Sequence, residues 1–435
     1  PDEYNAGEQN WSVVQDKRGI MYFGNTNGVL EYDGSQWRQI PVSNNSLVRS
    51  LAVDNEGTVF VGAVNEFGYL SPDKKGKLHY VSLSSTLDTA LQHFNNVWKT
   101  HAIDGKVYFC PQSQIFEYDY NKITVHNIGQ NDFYSFYIDS TLYIGNYTEG
   151  LRKFEHDSIK NIENGEILLR KNIFALLPYT SEQYLLGTVI NGLYKYNFKQ
   201  DTILDFSSPK AQQTNTFLKK NQLYDGIALT ENRFAFATLR KGAIVIDENA
   251  RTKLRINKKT GLQDEIVTFL YTNRRYEDCS NILWLALNNG ISKAEYFSPF
   301  YYFGEEAGIL STVSDVIRHE NRLYIATDLG VLYQTADIDG TAHFNQAENL
   351  EKQTWTFLSV QVPNSEGENN KILLAGTSSG VFEIRGTTAY PIIDNYYCFD
   401  LHQSKINPDM LYIGWQKGLA VFRYDNGKWI EYNRD

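Results

Sequence analysis

Cysteine, methionine and long apolar runs are scarce in this chain. Its 435 residues include two methionines and three widely spaced cysteines, Cys110, Cys279 and Cys398. An odd number of distant cysteines cannot form a complete disulfide framework or a spaced metal site, so we expect buried apolar side chains. No segment approaches the roughly 20 apolar residues of a membrane span, and no basic, apolar leader opens the chain. We therefore expect a soluble, mature or excised piece of protein.

Positive charge is also in deficit. The chain carries 41 Lys and Arg against 51 Asp and Glu, a net charge of −10. A surface that follows nucleic-acid phosphates needs the opposite sign, so this segment is predicted to make no nucleic-acid contact. The eight histidines lack the short spacing of metal ligands, and the sequence predicts no metal and no cofactor.

Aromatic residues are abundant instead. Tyr (30), Phe (24) and Trp (7) suit a β-rich protein, because aromatic side chains pack well on pleated sheets. The length exceeds what one hydrophobic core normally supports, which predicts several domains or one large repetitive architecture.

One pattern recurs ten times along the chain: an apolar or aromatic pair, a small residue, a short polar turn and a second apolar run, as in Met21 to Tyr32. The mean spacing is about 43 residues, as in propeller blades of four strands. A small residue suits the crowded inner part of a blade, where a larger side chain would push neighbouring sheets apart. The small positions are Gly24, Gly62, Cys110, Gly145, Gly187, Ala237, Ala286, Ala326, Gly376 and Gly414.

Hairpin turns support the same interpretation. Asp16 to Gly19 and Asp54 to Gly57 follow apolar strands, and Asp and Gly supply the hydrogen bonds and positive φ of tight reversals. We therefore predict an all-β propeller with four-stranded antiparallel blades. A β-sandwich is the alternative, since it shares the alternation and turn spacing. Helical periodicity is missing, and only Ser84 to Thr100 is expected to include a short helix.

The repeat resembles the two-component regulator propeller repeat of bacterial periplasmic sensors. The opening resembles the N-terminal blades of three-Tyr-domain regulators with a LuxR-type helix-turn-helix. Individual repeats depart from the pattern, with Cys110 and Ala237 replacing glycine. The opening segments are Gln9 to Gln15, Gly19 to Asn25, Leu30 to Gly34 with Trp37, Val48 to Ser50, and Glu66 to Tyr69.

This resemblance implies tandem seven-bladed propellers followed by a three-Tyr domain, one membrane span and a kinase or DNA-binding output module. The chain contains none of these output elements, so membrane attachment is expected only through a missing C-terminal span. We assign residues 1–298 to a seven-bladed propeller and 299–435 to three blades of a second, because Pro299 interrupts the ladder. One ten-bladed ring is the alternative.

Candidate ligand contacts lie where loops approach the end of the propeller. Aromatic faces beside Arg, Asn and Glu suit sugars, and a guanidinium suits a carboxylate or sulfate. For each aromatic residue, packing within a blade is the competing interpretation, and Glu66 could instead pair with an arginine. The predicted ligand-binding residues are Trp11, Arg49, Glu66, Trp98, Tyr134 and Arg240.

The resemblance implies a non-catalytic, periplasmic sensor domain that binds a small molecule or an oligosaccharide, and a homodimer in the full-length receptor. A propeller hydrolase or lyase acting on polysaccharide is one alternative, although no phosphate loop or nucleophile elbow occurs. A protein-interaction platform is another.

Overall fold

A computed structural model describes residues 1–103, 105–129, 132–162, 168–200, 202–230, 232–273, 281–296, 302–336, 342–363 and 369–434. The chain divides into two compact units, Pro1–Tyr301 and Tyr302–Asp435. Both units are built from one repeating element, an antiparallel sheet of consecutive strands.

The first unit contains seven sheets, here called blades 1 to 7, each with its strands in sequence order. Blades 1 to 6 have four strands each, and blade 7 has three among its described residues. The strands are β1 (Asn10–Gln15), β2 (Met21–Asn25), β3 (Gly28–Tyr32), β4 (Trp37–Ile40), β5 (Val48–Val53), β6 (Val59–Ala63), β7 (Phe67–Pro72), β8 (Leu78–Ser82), β9 (Lys99–Ile103), β10 (Lys106–Cys110), β11 (Gln114–Tyr118), β12 (Ile123–Asn127), β13 (Asp132–Ile138), β14 (Thr141–Asn146), β15 (Gly150–Glu155), β16 (Ser158–Asn161), β17 (Ile173–Thr180), β18 (Gln183–Thr188), β19 (Gly192–Asn197), β20 (Thr202–Leu204), β21 (Leu223–Ala228), β22 (Phe234–Thr238), β23 (Ala243–Ile246), β24 (Thr252–Ile256), β25 (Val267–Tyr271), β26 (Ile282–Leu287) and β27 (Ile291–Glu295).

The second unit contains three four-stranded sheets, blades 8 to 10. Their first strands contact one another in sequence order. The strands are β28 (Val313–His319), β29 (Arg322–Thr327), β30 (Gly330–Ala336), β31 (Ala342–Gln346), β32 (Thr354–Pro363), β33 (Asn369–Thr377), β34 (Gly380–Arg385), β35 (Thr388–Asp394), β36 (Cys398–Gln403), β37 (Met410–Trp415), β38 (Gly418–Asp425) and β39 (Lys428–Arg434).

The ten small residues occupy equivalent places. Each lies at or next to the end of the second strand of its blade and pairs with a residue near the start of the first strand, as Gly24 pairs with Ser12. Gly62 pairs with Ser50 and Gly376 with Thr356 in the same way. The predicted propeller fold is confirmed, and the β-sandwich alternative is wrong, because the described residues form ten separate sheets of consecutive strands.

The predicted hairpin turns are confirmed as well. The Asp16 carboxylate accepts the backbone N–H groups of Arg18 and Ile20 at 2.9 and 3.0 Å. Gly19 completes that turn with φ +87°, a conformation that glycine adopts without steric cost. Local side-chain hydrogen bonds therefore fix the reversals that give the blades their register.

The helical content differs from the prediction. The segment from Ser84 to Thr100 contains only two 3₁₀ turns, Ser84–Thr86 and Thr89–Leu91. A helix that the sequence analysis missed, α1 (Pro209–Asn221), precedes β21, and its N-cap Ser208 accepts the Ala211 N–H. Further 3₁₀ turns are Lys258–Thr260 and Glu305–Ala307. Within the described residues, no helix is both long and apolar enough to cross a membrane.

The first strands of the seven blades in the first unit contact one another in order, and β25 contacts β1. The Asn10 side-chain amide donates to the Gly290 carbonyl at 2.9 Å, and the Thr268 hydroxyl donates to the Asn10 carbonyl. The Phe23 and Trp284 rings pack at 5.7 Å in the same seam. Blade 7 therefore packs against blade 1.

The predicted boundary at 298 and 299 falls within residues 297–301, which lie outside the described part of the chain. We propose that blades 1 to 7 form one ring, because blade 7 returns to blade 1, and that the last three blades belong to a second propeller. Cys110 and Cys398 are buried, as predicted. Cys279 lies outside the described residues.

Core packing lies between neighbouring blades, and the small residues keep those blades close. A Cβ added at Gly62 would lie 2.6 Å from Val97 Cγ1 and 2.5 Å from the Ser50 hydroxyl, which donates to the Val97 carbonyl. At Gly145 the nearest atom would be 3.6 Å away. The same repeat position is therefore tight in blade 2 and permissive in blade 4.

We expect Gly62→Ala to lower the free energy of unfolding by about 1–3 kcal/mol, because the added methyl group overpacks the seam and displaces the Ser50 hydroxyl. Urea denaturation followed by tryptophan fluorescence measures the change. Gly145→Ala is the matched control and should change stability little. Equal destabilisation by the two variants would contradict this account of the small positions.

Candidate functional site

The first strands of several blades carry irregularities that redirect particular side chains. In β1 the register shifts between Asn10 and Ser12, which leaves Trp11 as the extra residue of a β-bulge. A register shift at the equivalent place makes one residue the extra residue of a β-bulge in four other blades. These residues are Arg49, Phe174, Tyr224 and Thr268. A bulge redirects the extra side chain, and all five residues line one cavity.

The cavity has a volume of about 290 Å³, and the first strand of each blade in the first unit contributes to its wall. It therefore lies on the axis of the seven blades. The lining residues are Trp11, Ser12, Arg49, Ser50, Leu51, Trp98, Lys99, Thr100, His101, Tyr134, Ser135, Phe136, Tyr137, Phe174, Ala175, Leu176, Leu177, Tyr224, Asp225, Gly226, Thr268 and Phe269.

Arg49 lies between two indole rings. Its guanidinium carbon is 3.8 Å from the centre of the Trp11 ring and 4.8 Å from that of Trp98. Its Nε donates to the Asn96 side-chain carbonyl at 3.0 Å. Burial lowers the pKa of Arg49, although a guanidinium remains charged at neutral pH. The two rings and Asn96 therefore hold a desolvated cation in a fixed orientation.

Three buried donors around this cation make no hydrogen bond to any residue that the structure describes. They are Nη1 of Arg49 and the indole Nε1 atoms of Trp11 and Trp98. Buried polar groups in folded proteins are nearly always paired, because leaving one unpaired costs about 1–3 kcal/mol. Three residues of the cavity wall thus carry buried donors without a hydrogen bond beside one positive charge.

Lys99 and Asp225 form an ion pair across the cavity. The Lys99 ammonium is 3.7 Å from an Asp225 oxygen, and it also lies 4.8 Å from the centre of the Tyr134 ring. Burial raises the pKa of Asp225, while Lys99 and the backbone N–H of Leu270 oppose that change. Since this lysine is balanced by an aspartate, Arg49 supplies the net positive charge of the lining.

An aromatic wall faces Arg49. The Tyr134 ring packs on Phe174 at 4.2 Å, and Phe174 packs on Tyr224 at 5.2 Å. Burial raises the pKa of Tyr134 well above its usual value. The Tyr134 hydroxyl therefore stays protonated at neutral pH and serves as a hydrogen-bonding group beside an apolar surface.

His101 and Ser135 occupy another part of the wall. The His101 Nε2 and Ser135 Oγ atoms are 2.9 Å apart. Burial, with a smaller contribution from Lys99, lowers the pKa of His101 to about 3. The imidazole is therefore neutral at physiological pH.

Comparisons with known proteins agree with this architecture. The extracellular domain of BT3049 from B. thetaiotaomicron, a protein described as a hybrid two component system, aligns with a TM-score of 0.67 at 17% identity, covering 99% of this chain and 59% of that one. The extracellular domain of BT4673 from the same organism, described as a one component system, aligns with a TM-score of 0.50 at 13% identity, covering 99% and 60%. The chain is a β-propeller protein. The predicted resemblance to such sensor regions is confirmed as a likeness of fold.

Virginiamycin B lyase from Staphylococcus aureus shares the propeller fold, with a TM-score of 0.50 at 12% identity over 66% of this chain and 95% of that one. The chain spans about three fifths of the length of the two extracellular domains. No protein-family model and no curated protein matches the sequence.

The propeller brings together four of the six predicted site residues, Trp11, Arg49, Trp98 and Tyr134. Glu66 lies elsewhere, and its carboxylate accepts the hydroxyls of Tyr80, Ser82 and Ser84.

Arg240, the remaining predicted residue, is exposed in the turn between β22 and β23. Most lining residues were not predicted, among them Lys99 and His101. Lys99 could have been found from the repeat, because Lys99 lies on the first strand of its blade opposite the small residue Cys110.

We expect the neutral His101 to make stability fall with acid. The unfolded chain binds a proton near pH 6.5 and the folded chain only near pH 3, so stability is complete above pH 6.5 and is lost as the pH falls. Because the cavity leaves part of the ring accessible, we expect a loss of about 1–2 kcal/mol between pH 7 and pH 5. His101→Gln should remove that component.

Urea denaturation at the two pH values measures the effect, with His93→Gln, an exposed histidine, as the control. An unchanged pH dependence in His101→Gln would contradict the neutral, buried state of this ring.

Proposed function

We propose that this chain is the ligand-sensing, periplasmic part of a bacterial membrane-spanning regulator, and that it binds a glycan fragment with an anionic group in the cavity of its first unit. The likeness of fold to extracellular domains described as parts of one and two component systems supports a sensing role. The chemistry of the cavity supports the class of ligand.

The observation that carries the proposal is the arrangement of Arg49 between Trp11 and Trp98. A carboxylate or sulfate would accept hydrogen bonds from Arg49 Nη1 and from the indole N–H groups, which have no partner among the described residues. Charge-assisted hydrogen bonds of this kind are about twice as strong as neutral ones. Binding would satisfy three buried donors at once.

The size and the lining of the cavity support a sugar. About 290 Å³ lies at the lower end of the range for small-molecule sites, so we infer that one or two sugar rings enter. Phe174 and Tyr224 would cover the apolar C–H face of a ring, while the Tyr134 hydroxyl bonds to its hydroxyl groups. The anionic group would then extend toward Arg49.

Signalling requires that the ligand favour one arrangement of the receptor over another. We propose that the ring stays rigid and that ligand binding biases the arrangement of a homodimer, which a membrane-linked output module outside this chain would detect. This segment would make no contact with nucleic acid, in keeping with its net charge of −10.

An enzyme acting on polysaccharide is the second candidate, and the hydrogen-bonded pair of His101 and Ser135 in the cavity wall is the observation that favours it. Against this, an imidazole with a pKa of about 3 is a weak base for activating a hydroxyl. We therefore propose a non-catalytic role.

Pooled neutral and anionic oligosaccharides, added separately to the purified chain in a thermal-shift assay, test the proposal. The anionic pool should raise the melting temperature, and Arg49→Met should weaken binding roughly tenfold or more, because the variant loses a charge-assisted hydrogen bond. Isothermal titration with the stabilising fraction measures the affinities.

Arg240→Met is the matched control, since it removes an exposed arginine outside the cavity, and it should bind like the unmodified chain. Equal stabilisation by the neutral pool, or full binding by Arg49→Met, would contradict an anionic ligand at Arg49. Cleavage of the oligosaccharides that Ser135→Ala abolishes would favour the enzyme instead.

A further inference from the structure

A second cluster of chemically active side chains lies away from the cavity, where blade 3 meets blade 4. Glu117 is on β11 and His126 on β12, and the pairing of Ile115 with His126 puts both side chains on one face of the sheet. Asp157 lies in the turn between β15 and β16 of the next blade. One carboxylate oxygen of each acid and one His126 nitrogen lie within 4.8 Å of one another.

Two atoms of this cluster, His126 Nε2 and Glu117 Oε2, are buried and make no hydrogen bond within the described part of the chain. They face each other at 3.3 Å, and their side chains are only 8% and 9% exposed. At this distance the two groups form an ion pair only when the imidazole is protonated. With a neutral imidazole, a cation bound between the nitrogen and the carboxylate oxygen would satisfy both atoms.

The surroundings hold these two groups in place. The Lys106 ammonium is 2.5 Å from Glu117 Oε1, so the carboxylate is fixed through one oxygen while the other faces His126. The Phe154 ring packs edge-on against the imidazole, with ring centres 4.9 Å apart. Outer contacts of this type orient the ligands of metal sites.

We propose that Glu117, His126 and Asp157 bind a zinc ion that links blade 3 to blade 4. Zinc bonds to imidazole nitrogen and carboxylate oxygen are about 2.0–2.2 Å long, so ligand atoms of a tetrahedral site lie about 3.3–3.5 Å apart. The distance between His126 Nε2 and Glu117 Oε2 already matches. Water would complete the coordination.

The net charge of the cluster and the exposed position of Asp157 also favour a zinc ion. Two carboxylates against the Lys106 ammonium leave the cluster with a net charge of −1, which favours a divalent cation. Asp157 is exposed and lies in a turn, so its carboxylate can approach an ion held by the two buried ligands. Nitrogen with oxygen ligands suits zinc better than magnesium or calcium, which prefer oxygen alone.

Equilibrium dialysis tests the proposal. The purified chain is stripped with EDTA, exchanged into buffer without chelator and dialysed against zinc chloride, and the bound metal is measured by plasma mass spectrometry. We expect one zinc ion per chain and a higher melting temperature with zinc, because an ion that binds only the folded state stabilises it.

Two single variants, His126→Gln and Asp157→Asn, should each weaken zinc binding roughly tenfold or more and lose the thermal shift. Asp157→Asn is the milder change, because the residue has φ +59° and asparagine tolerates that conformation. His79→Gln, which removes an exposed histidine on β8, is the control and should keep the ion. Absence of zinc in the unmodified chain, or zinc retained by both cluster variants, would overturn the proposal.

Discussion

The close approach of neighbouring blades at small residues such as Gly24, Gly62 and Gly376 is the constraint on which the rest of the molecule depends. At Gly24 an added Cβ would lie 3.0 Å from Val48 of the next blade, and at Gly376 it would lie 2.7 Å from Cys398. Protein interiors are packed too densely to absorb such an atom without movement. The small position therefore sets the distance between sheets, and ten copies at nearly constant spacing produce the repeated architecture.

The same short stretch of chain builds both the scaffold and the site. On the first strands of blades 1 and 2, the bulged residue points to the cavity, and the serine after it lies opposite the small position. Trp11 and Ser12 hold these places in blade 1. In other blades the residue opposite the small position also lines the cavity, as Lys99 and Asp225 do. The bulged residue can therefore change its chemistry without disturbing the packing, so one fold can hold many different sites.

This division explains what the sequence could predict. The spacing of the small residues was sufficient to predict the propeller fold, because the packing between blades favours a small residue at the same place in each sequence repeat. Trp11 and Arg49 were identified from their type and position, but the pairing of Lys99 with Asp225 joins blades 3 and 6 and leaves no local pattern. Glu66 was predicted to contact a ligand because its three hydroxyl partners lie 14 to 18 residues further along the chain, where no local pattern links them to the carboxylate. Helix α1 interrupts the repeat. Its sequence signal is limited to Ser208 and Pro209, which are typical of the start of a helix.

The proposed anion site, in a chain of net charge −10, requires that local interactions exceed long-range repulsion. At physiological ionic strength, exposed charges are screened beyond about 8 Å, so most of the acidic surface contributes little at the cavity. Arg49 lies between two indole rings, where water and salt screen it poorly. Since Lys99 is balanced by Asp225, the attraction for the proposed anionic ligand would arise chiefly from one oriented guanidinium. Selectivity should then follow from the geometry of the donors at Arg49 rather than from the total charge of the protein.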